Sequence, residues 1–123
     1  MPESINLERK LQLFSEHWTP KVIAELNDYQ VKLVKIAGEF VWHQHDDTDE
    51  LFFCLSGEMS IELPDNSVSL SAGELFVVPK GVRHKPSAET ACEVMLIEPK
   101  GVTNTGDARD TADERTAPND QWI

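Results

Sequence analysis

Hydrophobic and polar positions alternate in short blocks along the chain, and these blocks predict a domain made mainly of β-strands. Apolar and β-branched residues fill runs of strand length, and Asn, Asp, Gly and Pro separate the runs, as they do at tight turns. The predicted strands are Lys21–Leu26, Tyr29–Ala37, Phe40–His45, Leu51–Leu55, Met59–Leu63, Ser67–Leu70, Leu75–Val78, Val82–Lys85 and Thr90–Ile97. Many short strands with regular turn signals indicate a closed or nearly closed antiparallel barrel or sandwich.

A helical periodicity precedes the strands. Apolar residues recur there at spacings that place them in one stripe on a helix, namely Leu7, Leu11, Phe14 and Trp18. Asn6 is a good N-cap residue, and Pro20 ends the segment because the residue before a proline avoids the α region. The sequence therefore predicts one short helix within residues 7–18, ahead of a barrel over residues 21–97.

The central strands have apolar residues on both faces, which an antiparallel sheet with one wet face would not show. The run from Leu51 to Leu55 is apolar throughout, and we expect Phe40, Trp42 and Phe53 to lie on its outer side. The N-terminal helix is one candidate cover for this surface, and a second copy of the chain is the other. We expect a homodimer.

Length and charge narrow the class of protein. The chain has 123 residues, the size of one domain, and a formal net charge of −11 from 22 acidic and 11 basic residues. Such a charge excludes nucleic-acid binding, which needs clustered Lys and Arg. No apolar run approaches the length that spans a bilayer, and the N-terminus lacks the pattern of a secretory signal, so we expect a cytoplasmic protein without a membrane partner.

The composition changes near residue 103, after which polar and acidic residues dominate. We therefore predict one domain over residues 1–103 and a polar C-terminal tail over residues 104–123, which cannot bury enough apolar surface to order itself. The apolar end of that tail, Trp122–Ile123, either docks on the protein or frays. The two cysteines, Cys54 and Cys92, are interpreted as small buried apolar residues without an implied disulfide.

Three histidines and one glutamate form the candidate site. His43 and His45 are two residues apart, so that in a strand they project from one face. Glu50 follows the polar turn Asp46–Asp49 and returns on the neighbouring strand, while His84 follows a Pro/Gly turn. Three neutral imidazoles and one carboxylate suit Zn, Fe, Mn, Ni or Cu, so we expect one divalent transition metal ion. We interpret His17, near the end of the predicted helix, as a surface or capping residue.

Both blocks resemble the paired motifs of the cupin superfamily. The first block reads His-x-His, four residues, Glu, six residues, Gly, and the second reads Gly, five residues, Pro-x-Gly, two residues, His. The chain departs from the commonest pattern at Gly38, which is one residue closer to His43, and at Ala88, where an asparagine is frequent. The stretch Leu96–Gly106 is also similar to that of small single-domain bacterial cupins.

The resemblance implies an all-β double-stranded β-helix, or jelly roll, that holds the metal inside, and it also implies a homodimer. Two functions of different classes stay open. One is a metal-dependent enzyme of dioxygenase, isomerase or lyase type that acts on a small oxygenated or carbonyl compound. The other is a metal-bearing module that binds or senses a small molecule without turnover. No catalytic residue beyond the four ligands is assigned, because no further histidine accompanies the motifs.

Overall fold

Antiparallel strands dominate the structure, a computed structural model that describes residues 3–107 and 116–123. One helix, α1 (Leu7–Leu11), precedes the strands β1 (Lys21–Leu26), β2 (Tyr29–Glu39), β3 (Glu50–Ser56), β4 (Glu58–Glu62), β5 (Ser67–Ser71), β6 (Leu75–Val78) and β7 (Lys85–Pro99). The predicted class, an all-β jelly-roll barrel with one short helix, is confirmed. Among the described residues, no helix has the length and apolar character needed to cross a bilayer.

The long strand β7 organises the sheet. The path of hydrogen-bonded neighbours is β1-β2-β7-β3-β6, and β4 joins it by pairing with β7 and β5. On one edge β7 pairs with β2, and on the other edge it pairs with β4 near its start and with β3 near its end. The register between β2 and β7 shifts between Ile36 and Gly38, where Gly38 has a φ of 77°, and β2 continues to Glu39.

Two predictions about strands were wrong. The segments Val82–Lys85 and Thr90–Ile97 were predicted as separate strands, but residues 85–99 form one continuous strand because β2 and the pair β3/β4 flank it along its length. The segment Phe40–His45 is not a regular strand and has a single bridge, between His43 and His84. The two-residue alternation therefore does not apply there, and Phe40 is buried on the inner side, not on the outer side as predicted.

The helix is shorter than predicted, ending at Leu11 and not near Trp18. Asn6 is the N-cap, as expected, and its side chain accepts a hydrogen bond from the Arg9 amide. The apolar stripe divides after the helix: Phe14 packs on the outside of the sheet, whereas Trp18 packs against the inner core and stacks on Phe40 with 4.6 Å between ring centroids. One straight helix could not reach both sides of the sheet, and the chain turns at Trp18, which has a φ of 60°.

The sheet has a buried layer on each side. The inner core contains buried apolar side chains from β2, β3, β4, β5, β6 and β7. On the outer side Leu11 and Phe14 pack against Ile23 and Leu33, so the N-terminal segment covers this part of the surface. Phe53 remains half-buried and Trp42 lies below the Lys85 ammonium group, 5.8 Å from it.

The described parts of the C-terminal tail pack on the barrel instead of extending into solvent. Thr105 is buried, and the amide of Val22 donates a hydrogen bond to the Gln121 carbonyl. Ile123 joins the cluster under α1, and Lys10 donates to its carbonyl, while the side chain of Trp122 stays half-exposed. Of the two alternatives left open for the apolar end, docking on this chain is the one observed for Ile123. The remainder of the predicted tail, residues 108–115, lies outside the described residues.

Candidate metal centre

The barrel brings the four predicted residues together from three parts of the chain. His43 and His45 lie on the connection after β2, Glu50 is the first residue of β3, and His84 immediately precedes β7. All four are buried, and each offers a ligand atom such that these atoms lie within 4.8 Å of one another. Such a cluster could hold a metal ion.

Backbone pairing fixes the relative position of two of the histidines. The amide of His43 donates to the carbonyl of His84 at 3.0 Å, and the amide of His84 donates to that of His43 at 2.8 Å. The two imidazole rings consequently lie close, with centroids 4.3 Å apart. The short bridge, and not a regular strand, therefore sets the spacing of these rings.

A second set of contacts orients the rings. Nδ1 of His43 lies 2.8 Å from the Val41 carbonyl, and Nδ1 of His84 lies 2.9 Å from the Val82 carbonyl. A carbonyl oxygen only accepts hydrogen bonds, so Nδ1 is the protonated nitrogen of each ring and Nε2 of a neutral ring carries a lone pair. Contacts of this kind fix the tautomer and orientation of metal-binding histidines.

The inward-facing atoms fit a cation between them. Oε1 of Glu50 lies 3.2 Å from Nε2 of His45 and 3.3 Å from Nε2 of His84. Nε2 of His45 is buried and has no hydrogen-bond partner among the described residues. A carboxylate oxygen facing imidazole lone pairs is repulsive unless a proton or a cation lies between them. The donor set suits Zn, Fe, Mn, Ni or Cu.

Electrostatics sets the protonation state of two residues of the cluster. Burial, and then repulsion from His84, lowers the pKa of His43 to about 4, so its imidazole is neutral at pH 7. Burial alone would raise the pKa of Glu50, but its contacts with His45 and His84 outweigh burial and hold that pKa well below its usual range. The cluster therefore presents a neutral nitrogen donor at His43 and an ionised carboxylate at Glu50.

A loop that follows β7 packs directly against the site. At Gly106 an added Cβ would lie 2.4 Å from the Gln44 carbonyl oxygen and 3.0 Å from Cδ2 of His43. Asp107 accepts a hydrogen bond from the Gln44 amide at 2.9 Å. Only glycine allows this approach, and an open polar pocket that includes Asp46, Asp47 and His45 lies beside the loop.

An apolar cavity of about 30 Å³ adjoins the other side of the site. His43, Glu50 and Glu98 contribute to its wall, and the remaining lining side chains are almost all apolar, among them Trp18, Phe40, Phe52, Val94 and Leu96. The wall at Phe52 is thus apolar. The four-residue cluster therefore borders the apolar cavity on one side and the polar pocket on the other.

Sequence reasoning missed two charged residues beside this cavity. Nζ of Lys32 lies 2.9 Å from Oε2 of Glu98, and the two side chains are 1% and 2% exposed. Burial, and then the negative charge of Glu50, raises the pKa of Glu98 well above its usual range. The available signal was weak: Lys32 alternates with apolar Val31 and Leu33, which is also the pattern of a solvent-facing lysine.

Other sequence candidates lie away from the cluster. His17 is exposed, as predicted. Cys54 and Cys92 are buried in the inner core with their sulfur atoms 3.6 Å apart and unbonded. Burial raises the pKa of the Cys92 thiol to about 12, which matches its interpretation as an apolar core residue.

Comparison with known proteins places the chain in a family. Residues 31–98, more than half of the chain, match the Cupin domain. A cupin-2 domain containing protein from Shewanella frigidimarina NCIMB 400 is 56% identical, with a TM-score of 0.77, over 77% of this chain and 93% of that chain. The uncharacterized protein YdbB of Bacillus subtilis (strain 168) is 37% identical over 79 residues, which are 63% of this chain and 70% of YdbB.

A weaker similarity concerns an enzyme. The 3-hydroxyanthranilate 3,4-dioxygenase of Xanthomonas euvesicatoria pv. vesicatoria (strain 85-10) is 32% identical over 69 residues. The match covers 53% of this chain and only 39% of that enzyme. On the match to the Cupin domain and the fold, the chain belongs to the cupin family.

Proposed function

We propose that this cupin is a metal-dependent enzyme that acts on a small oxygenated or carbonyl compound, and that His43, His45, Glu50 and His84 hold the metal ion. One observation carries the proposal: these buried donor atoms converge within 4.8 Å of one another at the wall of an apolar cavity. A small-molecule site commonly combines apolar walls with a few convergent polar groups.

A bound ion would supply Lewis-acid polarisation of a carbonyl oxygen, or O₂ activation if it is iron. The chain itself orients the donors and excludes water. The carbonyls of Val41 and Val82 hold the imidazoles of His43 and His84, while Phe52 and the stacked pair Trp18–Phe40 form dry walls. A dry wall strengthens each electrostatic interaction at the site.

Among the three reaction types, the dioxygenase type has the most support, because a dioxygenase is similar over 53% of this chain. The substrate of that relative is not carried over. A cavity of about 30 Å³ is much smaller than the roughly 150 Å³ cavity that accommodates benzene. We propose instead a compound of a few heavy atoms, acted on by a homodimer in the cytoplasm.

A small cavity is also compatible with a second function, that of a metal-bearing module that binds a small molecule without turnover. Protein purified from its own host without added metal would be analysed for metal content. It would then be loaded anaerobically with Fe(II) and mixed with small hydroxycarbonyl compounds and with 3-hydroxyanthranilate in an O₂ electrode. We expect one transition metal per chain and metal-dependent O₂ uptake with one small compound.

The outcomes separate the two functions. Stoichiometric metal with reversible ligand binding but no O₂ uptake and no product would favour the binding module. Absence of any bound metal, both in the native protein and after loading, would contradict both functions.

A further inference from the structure

The segment that carries two of the four candidate ligands does not belong to a regular strand. Within the described chain, residues 40–45 form one bridge, in which the amide and the carbonyl of His43 both bond His84. The carbonyl of His45 accepts a hydrogen bond from the Gly81 amide at 2.8 Å. Beside an antiparallel bridge the backbone groups of the next residue point to the opposite edge. Gln44, between the two histidines, therefore needs a partner on that other edge.

Asp107 is the partner of Gln44. Its Oδ1 accepts a hydrogen bond from the Gln44 amide at 2.9 Å, and its own amide donates to the Gln44 carbonyl at 3.2 Å. One residue thus satisfies both backbone groups of Gln44, as a neighbouring strand would do. The segment from His43 to His45 is consequently held from two edges, by His84 on one side and by Asp107 on the other.

The residue before Asp107 lies against one of the candidate ligands. Gly106 has a φ of 55°, and a Cβ added there would lie 3.0 Å from Cδ2 of His43. The backbone of the loop therefore contacts the imidazole itself, in addition to the backbone between His43 and His45.

The same loop is anchored to the barrel. Thr105 is 2% exposed, and its Oγ1 lies 2.9 Å from Oγ1 of Thr116. Nδ2 of Asn104 donates a hydrogen bond to the Trp18 carbonyl at 3.2 Å. A loop that is fixed in this way can restrain the segment that it contacts. Residues 104–107 also lie beyond residues 31–98, the part of the chain that matches the Cupin domain.

We propose that Asp107 is a positioning residue for the metal centre, which holds the imidazoles of His43 and His45 in place by clamping the backbone of Gln44. This inference rests on the proposed function for the presence of the ion. Asp107 is not one of the four residues whose donor atoms converge, so it acts through Gln44. Residues that only orient the ligands commonly change metal affinity by about 10–100-fold.

Three variants separate the clamp from the charge of Asp107. Asp107→Ala removes both the acceptor and the charge, whereas Asp107→Asn removes the charge and keeps an acceptor oxygen. Asp47→Ala is the matched control, because Asp47 lines the same polar pocket and the Gln44 amide bonds Asp107 instead. Competition with a chromogenic chelator measures zinc affinity. We expect a loss of at least about tenfold in Asp107→Ala and of no more than about threefold in the other two variants.

A second measurement examines the clamp without metal. Hydrogen exchange of the Gln44 amide is followed by NMR in the chelator-treated protein. It should be at least about tenfold faster in Asp107→Ala than in the wild type, and close to the wild type in Asp107→Asn. The urea midpoint should stay near the wild-type value in all variants, because Asp107 is exposed.

The inference is overturned if Asp107→Ala loses less than about tenfold in zinc affinity, or if Asp107→Asn or Asp47→Ala loses as much. A parallel fall of the urea midpoint in Asp107→Ala would also overturn it, because the loss would then reflect general destabilisation. Failure of the proposed function is distinguishable. A wild-type protein that binds no zinc contradicts that function, while exchange of the Gln44 amide still decides whether Asp107 holds the segment, and unchanged exchange in Asp107→Ala would refute the clamp.

Discussion

At Lys32 and Leu33, strand β2 has a charged side chain on its inner face and an apolar side chain on its outer face, the opposite of the usual arrangement in a soluble protein. Lys32 points into the barrel and is 1% exposed, whereas its neighbour Leu33 points outward and is covered by the N-terminal segment. Polar groups thus occupy the inner face at this end of the strand, whereas Val34 and Ile36 further along the same face belong to the apolar inner core. The same contrast holds on β3, where Glu50 faces inward and Leu51 faces outward.

The contrast shows what each face contributes. Placing a charge in a low-dielectric interior costs several kcal/mol, so the inner face gains little stability from Lys32, Glu50 and Glu98. The outer face carries no such group in its cluster of Leu11, Phe14, Ile23 and Leu33, and burial of these side chains stabilises the fold. The inner end of the barrel carries the candidate site, and the outer layer stabilises the barrel.

Breaking the inner contact between Lys32 and Glu98 gives the largest expected effect on stability. Lys32→Met removes the partner of Glu98 and should lower the free energy of unfolding of the metal-free protein by about 1–3 kcal/mol, because the buried Glu98 side chain loses its hydrogen-bond donor. Urea unfolding followed by circular dichroism measures it. The control is the double variant Lys32→Met/Glu98→Leu, which should recover most of the loss. A loss below about 1 kcal/mol in Lys32→Met would contradict the burial of this pair.

Removing a donor from the cluster should have the largest effect on zinc binding. His84→Ala deletes one nitrogen ligand and should weaken zinc retention by at least about 100-fold, since even the loss of an outer-shell partner costs 10–100-fold. Competition with a chromogenic chelator measures the affinity. His17→Ala is the matched control, because His17 is exposed and outside the cluster, and it should leave retention unchanged. Equal losses in both variants would refute the assignment of His84.

The four residues of the inner site were predictable because two short motifs contain them. The backbone hydrogen bonds between His43 and His84, however, link residues far apart in the sequence, and Glu50 begins a strand that pairs with β6 and β7 and not with the segment of His43 and His45, so the expected return on the neighbouring strand was wrong. The argument from strand alternation was also only partly correct, since residues 40–45 form no regular strand. A bridge and a turn replaced the strand, and the four side chains still converge.

The remaining features depend on tertiary packing. Alternation along β2 assigns Val31 and Leu33 to a core and Lys32 to solvent, and the candidate cover of the outer face was predicted without showing that Lys32 lies on the opposite, inner face. The predicted helix over residues 7–18 failed for the same reason. Phe14 and Trp18 share one stripe in the sequence, but they pack on opposite sides of the sheet.

Part of the outer face has no cover within the described residues. On the edge strand β6, Leu75 and Val77 are 53% and 40% exposed, and they pair with Phe53 and Leu51 of β3. We expect a second copy of the chain to cover this patch. Val77→Lys should then weaken dimerisation by at least about tenfold, because a buried ammonium group would lack a partner.

Sedimentation equilibrium at micromolar concentration measures this association. Leu26→Lys is the matched control, since Leu26 is 61% exposed at the end of β1, away from β6. It should leave dimerisation unchanged. A monomeric wild-type protein, or equal effects of the two lysine substitutions, would show that the patch is not an interface.

The smallest expected effect tests whether the two faces are independent. The Asn6 side chain caps α1 by accepting a hydrogen bond from the Arg9 amide at 2.9 Å, and Leu11 of the same helix packs in the outer cluster. Asn6→Ala should lower the free energy of unfolding by about 0.5–1 kcal/mol, near the lower end for N-cap replacements because the cap is exposed. Asn6→Asp, which keeps the acceptor, should be close to wild type. Zinc affinity should not change in either variant, because α1 and the candidate metal centre lie on opposite faces of the sheet. A loss of zinc affinity together with the loss of stability would contradict this independence, because the outer layer would then also position the residues of the cluster.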